Sequence, residues 1–379
     1  MSTLQNEVYR QAALPVRNRI YRYIYEAKGF CSRQAVASAC GISMPTLYQN
    51  LSDLMAEGLV CSSGEEQSTG GRKAQGLDIV PDARISVGIA VSEHHLRLIA
   101  MDLRLREIAY RMLPFNLVEE LSKPDSAALA FTLEEFLNEN RIDRSRLLGV
   151  GITIPGLISK DRSSIFNVPT MNLKNIRMDA LIRGIPYPVY VDNDASASGH
   201  AECFLRGEKE NLAYLSLEYG VGGAVVIAGE PYIGDDAKSG EFGHLCIEPG
   251  GLPCTCGMRG CLEPYISPRR IETAFDVSLE DFFRGVEQHN PEYEALLYDM
   301  LRHLAIGINN IHMTLDCTVV LGGFLSEYLA PYLPILRRYV AAGSPFEDDA
   351  EFVQFSSLRR HITPLGAALY FIREFVNGV

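Results

Sequence analysis

A winged helix–turn–helix followed by a two-lobed α/β body is the fold class this sequence predicts. Three observations lead there. Charge is spread unevenly along the 379 residues. Between residues 16 and 58 apolar side chains recur at helical spacing and are interrupted by glycine turns. Beyond Pro81 short apolar runs alternate with helical stretches, the pattern of strands joined by hairpins and crossovers.

The chain carries 35 basic and 47 acidic side chains, a net charge of −12. Taken whole, that excess argues against nucleic acid as a partner. Residues 1–80 hold eight basic and seven acidic side chains, which leaves 27 basic against 40 acidic in the remainder. The acidity therefore belongs to the long C-terminal part, and the nearly neutral first 80 residues stay open to nucleic acid. Hydrophobic residues at 47% exclude wholesale disorder. Nine cysteines at this length do not make a disulfide scaffold. The chain does not open with a basic segment followed by an apolar one, and no apolar run reaches about 18 residues. A cytoplasmic protein without membrane insertion is expected.

In the first module, Val16, Ile20, Tyr23 and Ile24 mark one helix. Ser32 reads as the cap of a short second helix through Ala35, Val36 and Ala39, and Gly41 fits the turn that ends it. Ser43 caps a third helix with Leu47, Leu51, Leu54 and Met55 on one face, stopping at Gly58. Leu59–Val60 starts a strand, the polar stretch 61–76 reads as a wing, and Leu77–Val80 returns. A helix–turn–helix lays its second helix in the DNA major groove. Here that helix would present Ser43, Thr46, Tyr48, Gln49 and Asn50. Gln49 and Asn50 match adenine edges, while Thr46 and Tyr48 reach phosphates or thymine methyls. Arg72 and Lys73 in the glycine-rich wing suit a minor groove. Arg17, Arg19, Arg22 and Arg33 would add backbone contacts. A helical protein-interaction module is the alternative. With so little net positive charge, one module alone should bind weakly, which favours a dimer.

In the body, strands are expected at Ile85–Val91, His95–Met101, Glu107–Leu113, Leu147–Ile154, Val189–Val191, Leu212–Leu217, Gly223–Ile227 and Thr318–Leu321. A helix is expected over 125–140 and another after Thr363. His244, Cys254, Cys256 and Cys261 stand in the pattern H-x9-C-x-C-x4-C, with Gly250, Gly251, Gly257 and Gly260 supplying turns. Three thiolates and one imidazole suit a closed tetrahedral structural zinc site, one ion per chain. Cys246 is a less natural substitute, and reduced thiols in a tight loop are the metal-free reading. Asn193 and Asp194 follow the strand Val189–Val191, and strand ends in open α/β sheets favour ligands. With Glu241, His244 and Glu263 they offer fixed acceptors for the vicinal hydroxyls of a sugar. Taken singly, each acid also reads as a solvated surface charge.

The segments GITIPGLIS (151–159), VDNDASASGHAE (191–202), GEFGHLCIEPGGLPCTCGMRGCLEPY (240–265) and VVLGGFLSE (319–327) resemble the ROK family of repressors and sugar kinases across nearly the whole chain. The resemblance implies an actin-like ATPase fold with two lobes flanking a sugar cleft. It implies sugar contacts by Asn193, Asp194, Glu241, His244 and Glu263, and zinc on His244 with Cys254, Cys256 and Cys261. The residue matching Asp194 is the catalytic base in the family's kinases. The kinase phosphate motifs differ here. G-x-D-x-G-G-T is replaced by Gly88-Ile89-Ala90-Val91-Ser92-Glu93-His94, which loses the carboxylate and two glycines. G-T-G-x-G-G-G is replaced by Glu218-Tyr219-Gly220-Val221-Gly222-Gly223-Ala224.

The expected protein is thus a sugar-responsive, DNA-binding transcriptional regulator of the repressor kind, not an enzyme. Its partners would be operator DNA, a sugar or sugar-phosphate effector, and a second copy in a homodimer or dimer of dimers. Residues 1–81 would form the DNA module with its linker, and 82–379 the sugar-binding body. Lobe one would span about 82–194 plus a C-terminal helix of about 363–379, and lobe two about 195–362. A sugar kinase carrying an accessory DNA-binding domain is the alternative, and control by a protein partner a third reading.

Overall fold

The computed structural model describes residues 14–29, 31–65, 75–123, 125–168, 171–207, 211–346, 349–356 and 361–379. Arg72 and Lys73, expected on the wing, lie outside the described residues.

The N-terminal module is α1 (Val16–Glu26), α2 (Arg33–Cys40), α3 (Met44–Ala56), β1 (Val60–Glu65) and β2 (Gln75–Ile79). Ser32 Oγ accepts from the Ala35 N–H at 3.2 Å and Ser43 Oγ from the Thr46 N–H at 3.4 Å, so both serines cap the helices the sequence assigns to them. Between them Gly41 sits at φ 63°, a left-handed turn that a side chain would strain. Ile20, Ile24, Val36, Leu47, Leu54 and Leu77 are fully buried. β1 and β2 pair antiparallel with Val60 opposite Ile79. Both strands run further into the polar stretch than its apolar residues suggest, because a backbone ladder needs no apolar side chains.

The body begins with β3 (Ile85–Val91), β4 (His95–Asp102), β5 (Glu107–Pro114), α4 (Leu117–Ser122), α5 (Ala128–Glu139) and β6 (Leu147–Ile154). It continues through β7 (Leu157–Ile158), β8 (Ser164–Val168), β9 (Leu173–Arg177), α6 (Met178–Leu181), β10 (Val189–Asn193) and α7 (Asp194–Arg206). Next come β11 (Leu212–Leu217), β12 (Val221–Ile227), β13 (Glu230–Tyr232), α8 (Glu263–Ile266), α9 (Pro268–Phe275), α10 (Leu279–Glu287) and α11 (Pro291–Leu315). β14 (Thr318–Gly322), α12 (Leu325–Leu329), α13 (Leu333–Gly343), β15 (Val353–Phe355) and α14 (Ile362–Gly378) complete it.

The two large sheets share one topology. Their orders are β10-β6-β3-β4-β5 and β15-β14-β11-β12-β13. In each, an antiparallel three-strand meander is extended on its inner edge by two parallel strands. Parallel strands require crossovers, and helices supply them. The small sheet β7-β8-β9 and the helix α4 have no counterpart in the strand and helix pattern of the sequence. Among the described residues, no helix is long and apolar enough to cross a membrane.

α14 lies against the first sheet. A Cβ on Gly88 would stand 1.8 Å from the Pro364 carbonyl oxygen, and one on Gly151 1.9 Å from that of Ala367. Only glycine permits this approach, and Ser86 Oγ adds a 2.8 Å hydrogen bond to the Ala368 carbonyl. The other side of α14 belongs to the N-terminal module. Ile362, Leu369, Ile372 and Val376 share one buried cluster with Ile20, Tyr21, Ile24 and Leu77. Asn18 Nδ2 donates to the Val376 carbonyl at 3.0 Å, and Tyr21 meets Phe375 edge-on at 6.1 Å between ring centroids.

Candidate functional site

β10 ends where α7 begins, and the site starts at that junction. Asn193 caps α7, its Oδ1 accepting from the Ser196 N–H at 3.0 Å. Its Nδ2 donates to the Gly156 carbonyl at 3.1 Å, which ties the strand end to the loop after β6. Asp194 follows in the first turn, and burial raises its carboxyl above the usual range. Asn193 and Glu241 line one groove with Gly156, Ser196, Ser239 and Arg162.

Glu241 precedes a single 3₁₀ turn, Phe242–His244. Burial raises its carboxyl, opposed by His244 and reinforced by Asp194 and Glu263, so four charged candidates sense one another. His244 Nε2 stands 4.0 Å from Glu241 Oε2. Glu263 opens α8; its Oε2 accepts from the Val221 N–H at 2.8 Å and its Oε1 from the Thr255 hydroxyl at 3.1 Å. It thereby fastens the cysteine loop to β12. The structure brings Asn193, Asp194, Glu241, His244 and Glu263 into one neighbourhood, and Asn193 and Glu241 of that group line the groove.

His244 has a second role, because its other nitrogen faces sulfur. His244 Nδ1 lies 3.6 Å from Cys254 Sγ, and Cys256 Sγ lies 3.8 Å from Cys261 Sγ. All four ligand atoms fall within 4.8 Å of one another. Around a tetrahedral ion with bonds of about 2.0–2.3 Å, neighbouring ligand atoms stand about 3.5–3.8 Å apart, so the donor set fits a metal of zinc's preferences. Burial and the adjacent sulfurs push the Cys261 thiol up to about 12, a crowding of thiols that a divalent cation relieves. Cys246 pairs by backbone with Cys261, and its side chain is exposed outside the four-ligand group.

Two charged groups at the cleft escaped the sequence reading of the sugar site. Glu218 at the end of β11 accepts from the Phe324 N–H at 3.3 Å. Burial pushes its carboxyl up to about 7, against the pull of Arg97 and with the help of Asp194. The available signal for Arg97 was an arginine set between leucines in the largely apolar strand HLRLIAMD.

On α3, Ser43, Thr46, Tyr48 and Gln49 are exposed and Asn50 is half-buried. Asn50 Nδ2 donates to the Thr46 carbonyl at 2.8 Å, which holds its amide against the helix. Three of the flanking arginines are engaged within the module. Arg17 forks onto Glu57, Arg19 donates to the Cys40 carbonyl, and Arg22 pairs with Glu26 at 3.4 Å.

Comparison with known proteins follows the same division. The chain is 30% identical to the xylose repressor of Bacillus subtilis over 361 residues, covering 92% of each. It is 26% identical to the N-acetylglucosamine repressor of Escherichia coli O157:H7, covering 95% of this chain and 93% of that one. A solved ROK family transcriptional regulator, homologous to the Escherichia coli MLC protein, matches with TM-score 0.77 at 22% identity, over 96% of both chains. The ROK hexokinase from Thermus thermophilus matches with TM-score 0.61 at 27% identity, covering 78% of this chain and all of its own. The family model named ROK family matches residues 87–373, and the chain belongs to that family.

Proposed function

We propose that this protein is a sugar-responsive, DNA-binding transcriptional regulator that acts as a repressor. The observation that carries the reading is the continuity of the helix–turn–helix core with α14, which joins a DNA-reading face to the cleft of a sugar-binding body. The relatives support it: two are named as repressors, and the kinase match leaves about a fifth of this chain uncovered. α3 enters the major groove with Ser43, Thr46, Tyr48, Gln49 and Asn50 toward the bases and phosphates. Arg72 and Lys73 reach the minor groove from the wing. A sugar or sugar phosphate binds through Asn193, Asp194, Glu241, His244 and Glu263. Two copies engage a palindromic operator, as a homodimer or a dimer of dimers in the cytoplasm, and effector binding alters lobe closure and so the spacing of their modules.

His244, Cys254, Cys256 and Cys261 hold one structural zinc. When bound, the ion clamps the loop between Glu241 and Glu263 and so fixes both carboxylates. The domain division is residues 1–81 for the DNA module and 82–379 for the body, with lobe one at about 82–194 plus 363–379 and lobe two between. The replacement of the kinase motifs' aspartate by Ala90 and of a motif glycine by Glu218 supports the reading that sugar phosphorylation is not its activity.

Gel-shift titration of a selected operator tests the reading. Gln49→Ala with Asn50→Ala should weaken specific binding at least tenfold and leave sugar affinity unchanged. Unaltered specific binding would remove α3 from the DNA. A coupled ADP-release assay over a hexose panel should show no turnover; turnover abolished by Asp194→Asn would establish the kinase instead.

A further inference from the structure

The groove that Asn193 and Glu241 line runs on beyond the sugar acceptors, and β12 measures how far. The Val221 N–H is held by Glu263. Gly223 lies against Gly240, the residue before Glu241: a Cβ on Gly223 would stand 2.7 Å from the Gly240 carbonyl oxygen. Two residues further along, Val225 is paired with Tyr232 of β13. A strand advances about 3.4 Å per residue, so the Val225–Tyr232 pair stands about 7 Å past the Gly223–Gly240 contact, on the side away from Glu263. Gly223, Val225 and Tyr232 all line the groove, so it extends past Glu241 by about the length of one more sugar ring.

The far half of the groove differs in chemistry from the acceptor half. Tyr232 is 54% exposed and its neighbour Ile233 39%, an aromatic ring and an aliphatic side chain left open in a polar groove. The opposite wall is the turn between β7 and β8. Lys160 of that turn donates from Nζ to the Asp235 carbonyl at 3.1 Å, so the walls of the two lobes meet there. Arg162 of the same turn donates to the Val191 carbonyl, pairs with Asp192 at 3.5 Å and lies over the Tyr190 ring at 4.1 Å. These contacts fix the guanidinium and balance its charge, and they leave part of its fork of N–H donors for hydroxyls. Between the two halves, the hydroxyls of Ser196 and Ser239 line the groove and have no hydrogen-bond partner among the described residues.

We infer that the far half of the groove is a subsite for a second sugar ring, stacked on Tyr232 and hydrogen-bonded by Arg162 and Ser239, so that the effector is a disaccharide. The inference rests on the reading of Asn193 and Glu241 as sugar contacts, and it names the class of sugar they serve. An aromatic ring supplies a flat apolar platform for the C–H face of a pyranose, while fixed donors and hydroxyls at its rim set the ring's orientation. Because Asp192 already neutralises Arg162, the subsite suits neutral hydroxyls better than a charged sugar. A ring held there also rests on both attachments of α14. Tyr190, under Arg162, stacks on Tyr370 of α14 at 3.5 Å between centroids, and Glu230, two residues before Tyr232, pairs with Arg373 of α14.

Isothermal titration of the full-length protein decides it. The probes are xylose, glucose and N-acetylglucosamine, each against its own disaccharides: xylobiose, cellobiose and maltose, and N,N′-diacetylchitobiose. At least one disaccharide should bind about fivefold or more tightly than its parent sugar, the scale of one well-placed aromatic contact. Tyr232→Ala should bring that ratio close to one, and Tyr232→Phe, which keeps the ring, should preserve it. Ser239→Ala should lower the ratio without lowering the melting temperature. If no pair reaches that ratio, or if Tyr232→Ala leaves it unchanged, the second subsite is overturned and the binding of a single sugar at Asn193 and Glu241 still stands. Failure of all seven sugars to bind would overturn the sugar reading itself.

Discussion

Glu218 shows how a single residue makes the fold sensitive to pH. Its ordinary value of 4.5 is raised by burial to about 7 in the folded chain. Between those values the folded protein holds a proton that the unfolded chain has released. Its contribution to stability therefore falls as pH rises from about 4.5 to about 7 and is flat above. Glu218→Gln keeps the acceptor for the Phe324 N–H and removes the titration. We expect the variant's melting temperature, relative to wild type, to climb from pH 5 to pH 7 and then level off. A pH-independent difference would mean that Glu218 titrates as an ordinary carboxylate. Asp194 shifts in the same direction and its charge acts on Glu218, so the difference between the two proteins reads the titration of the pair. Tyr21 offers a second test at this scale. Its hydroxyl is buried against α14 and has no hydrogen-bond partner among the described residues. Tyr21→Phe removes an unpaired polar group and should raise stability by up to about 1 kcal/mol in denaturant unfolding. A loss of that size would reveal a partner, such as a bound water.

Among the elements, α14 does the most joining, because it is buried along nearly its whole length. Ile362, Thr363, Pro364, Leu365, Gly366, Ala367, Ala368 and Leu369 are all buried. Small residues on one side admit the first sheet, and Ile372 and Val376 serve the N-terminal module. Gly88→Ala would place a methyl group into the Pro364 carbonyl, and the helix would have to move. We expect a loss of about 3 kcal/mol or more, read as a lower denaturant midpoint, with the N-terminal module loosened in the same transition. A loss below about 1 kcal/mol would show that the helix seat is soft. Elements with strong periodicity were legible in the sequence. β3 and β11 are mostly apolar and buried along their whole length, and α1 to α3 announce themselves through spacing and serine caps. β8 and β9 were not, because SIFNV and LKNIR are short, partly polar and held by pairing to each other. α11 did carry a signal, in the spacing of Leu297, Leu301, Leu304, Ile308 and Ile311. The candidate site divides the same way. The His–Cys cluster and Asn193–Asp194 are written in local spacing, whereas Arg97 and Glu218 meet only because the second sheet folds opposite the first.

For the molecule as a whole, function requires the cleft to influence a DNA-reading face on the far side of α14. A continuous set of contacts is in place. Ser198 on α7, one turn after Asp194, meets Thr363 at the start of α14 at 3.2 Å. Further along α14, Arg373 contacts His200 of α7 and pairs with Glu230 of β13 at 2.7 Å, which ties the helix to the second sheet. The helix then ends on Asn18 and Tyr21 of α1. Contact alone does not establish coupling; a measured coupling energy does. If the effector lowers operator affinity by some factor, operator must lower effector affinity by the same factor. Arg373→Met keeps the buried stem of the side chain and cuts the tie to Glu230. Because Arg373 lies outside both the cleft and α3, we expect effector affinity of the DNA-free protein and operator affinity of the effector-free protein to change less than threefold. The coupling factor should shrink at least threefold, by the same amount in both titrations. An unchanged factor would show that the Arg373–Glu230 tie carries none of the coupling and would leave the Ser198–Thr363 contact as the link between α7 and α14.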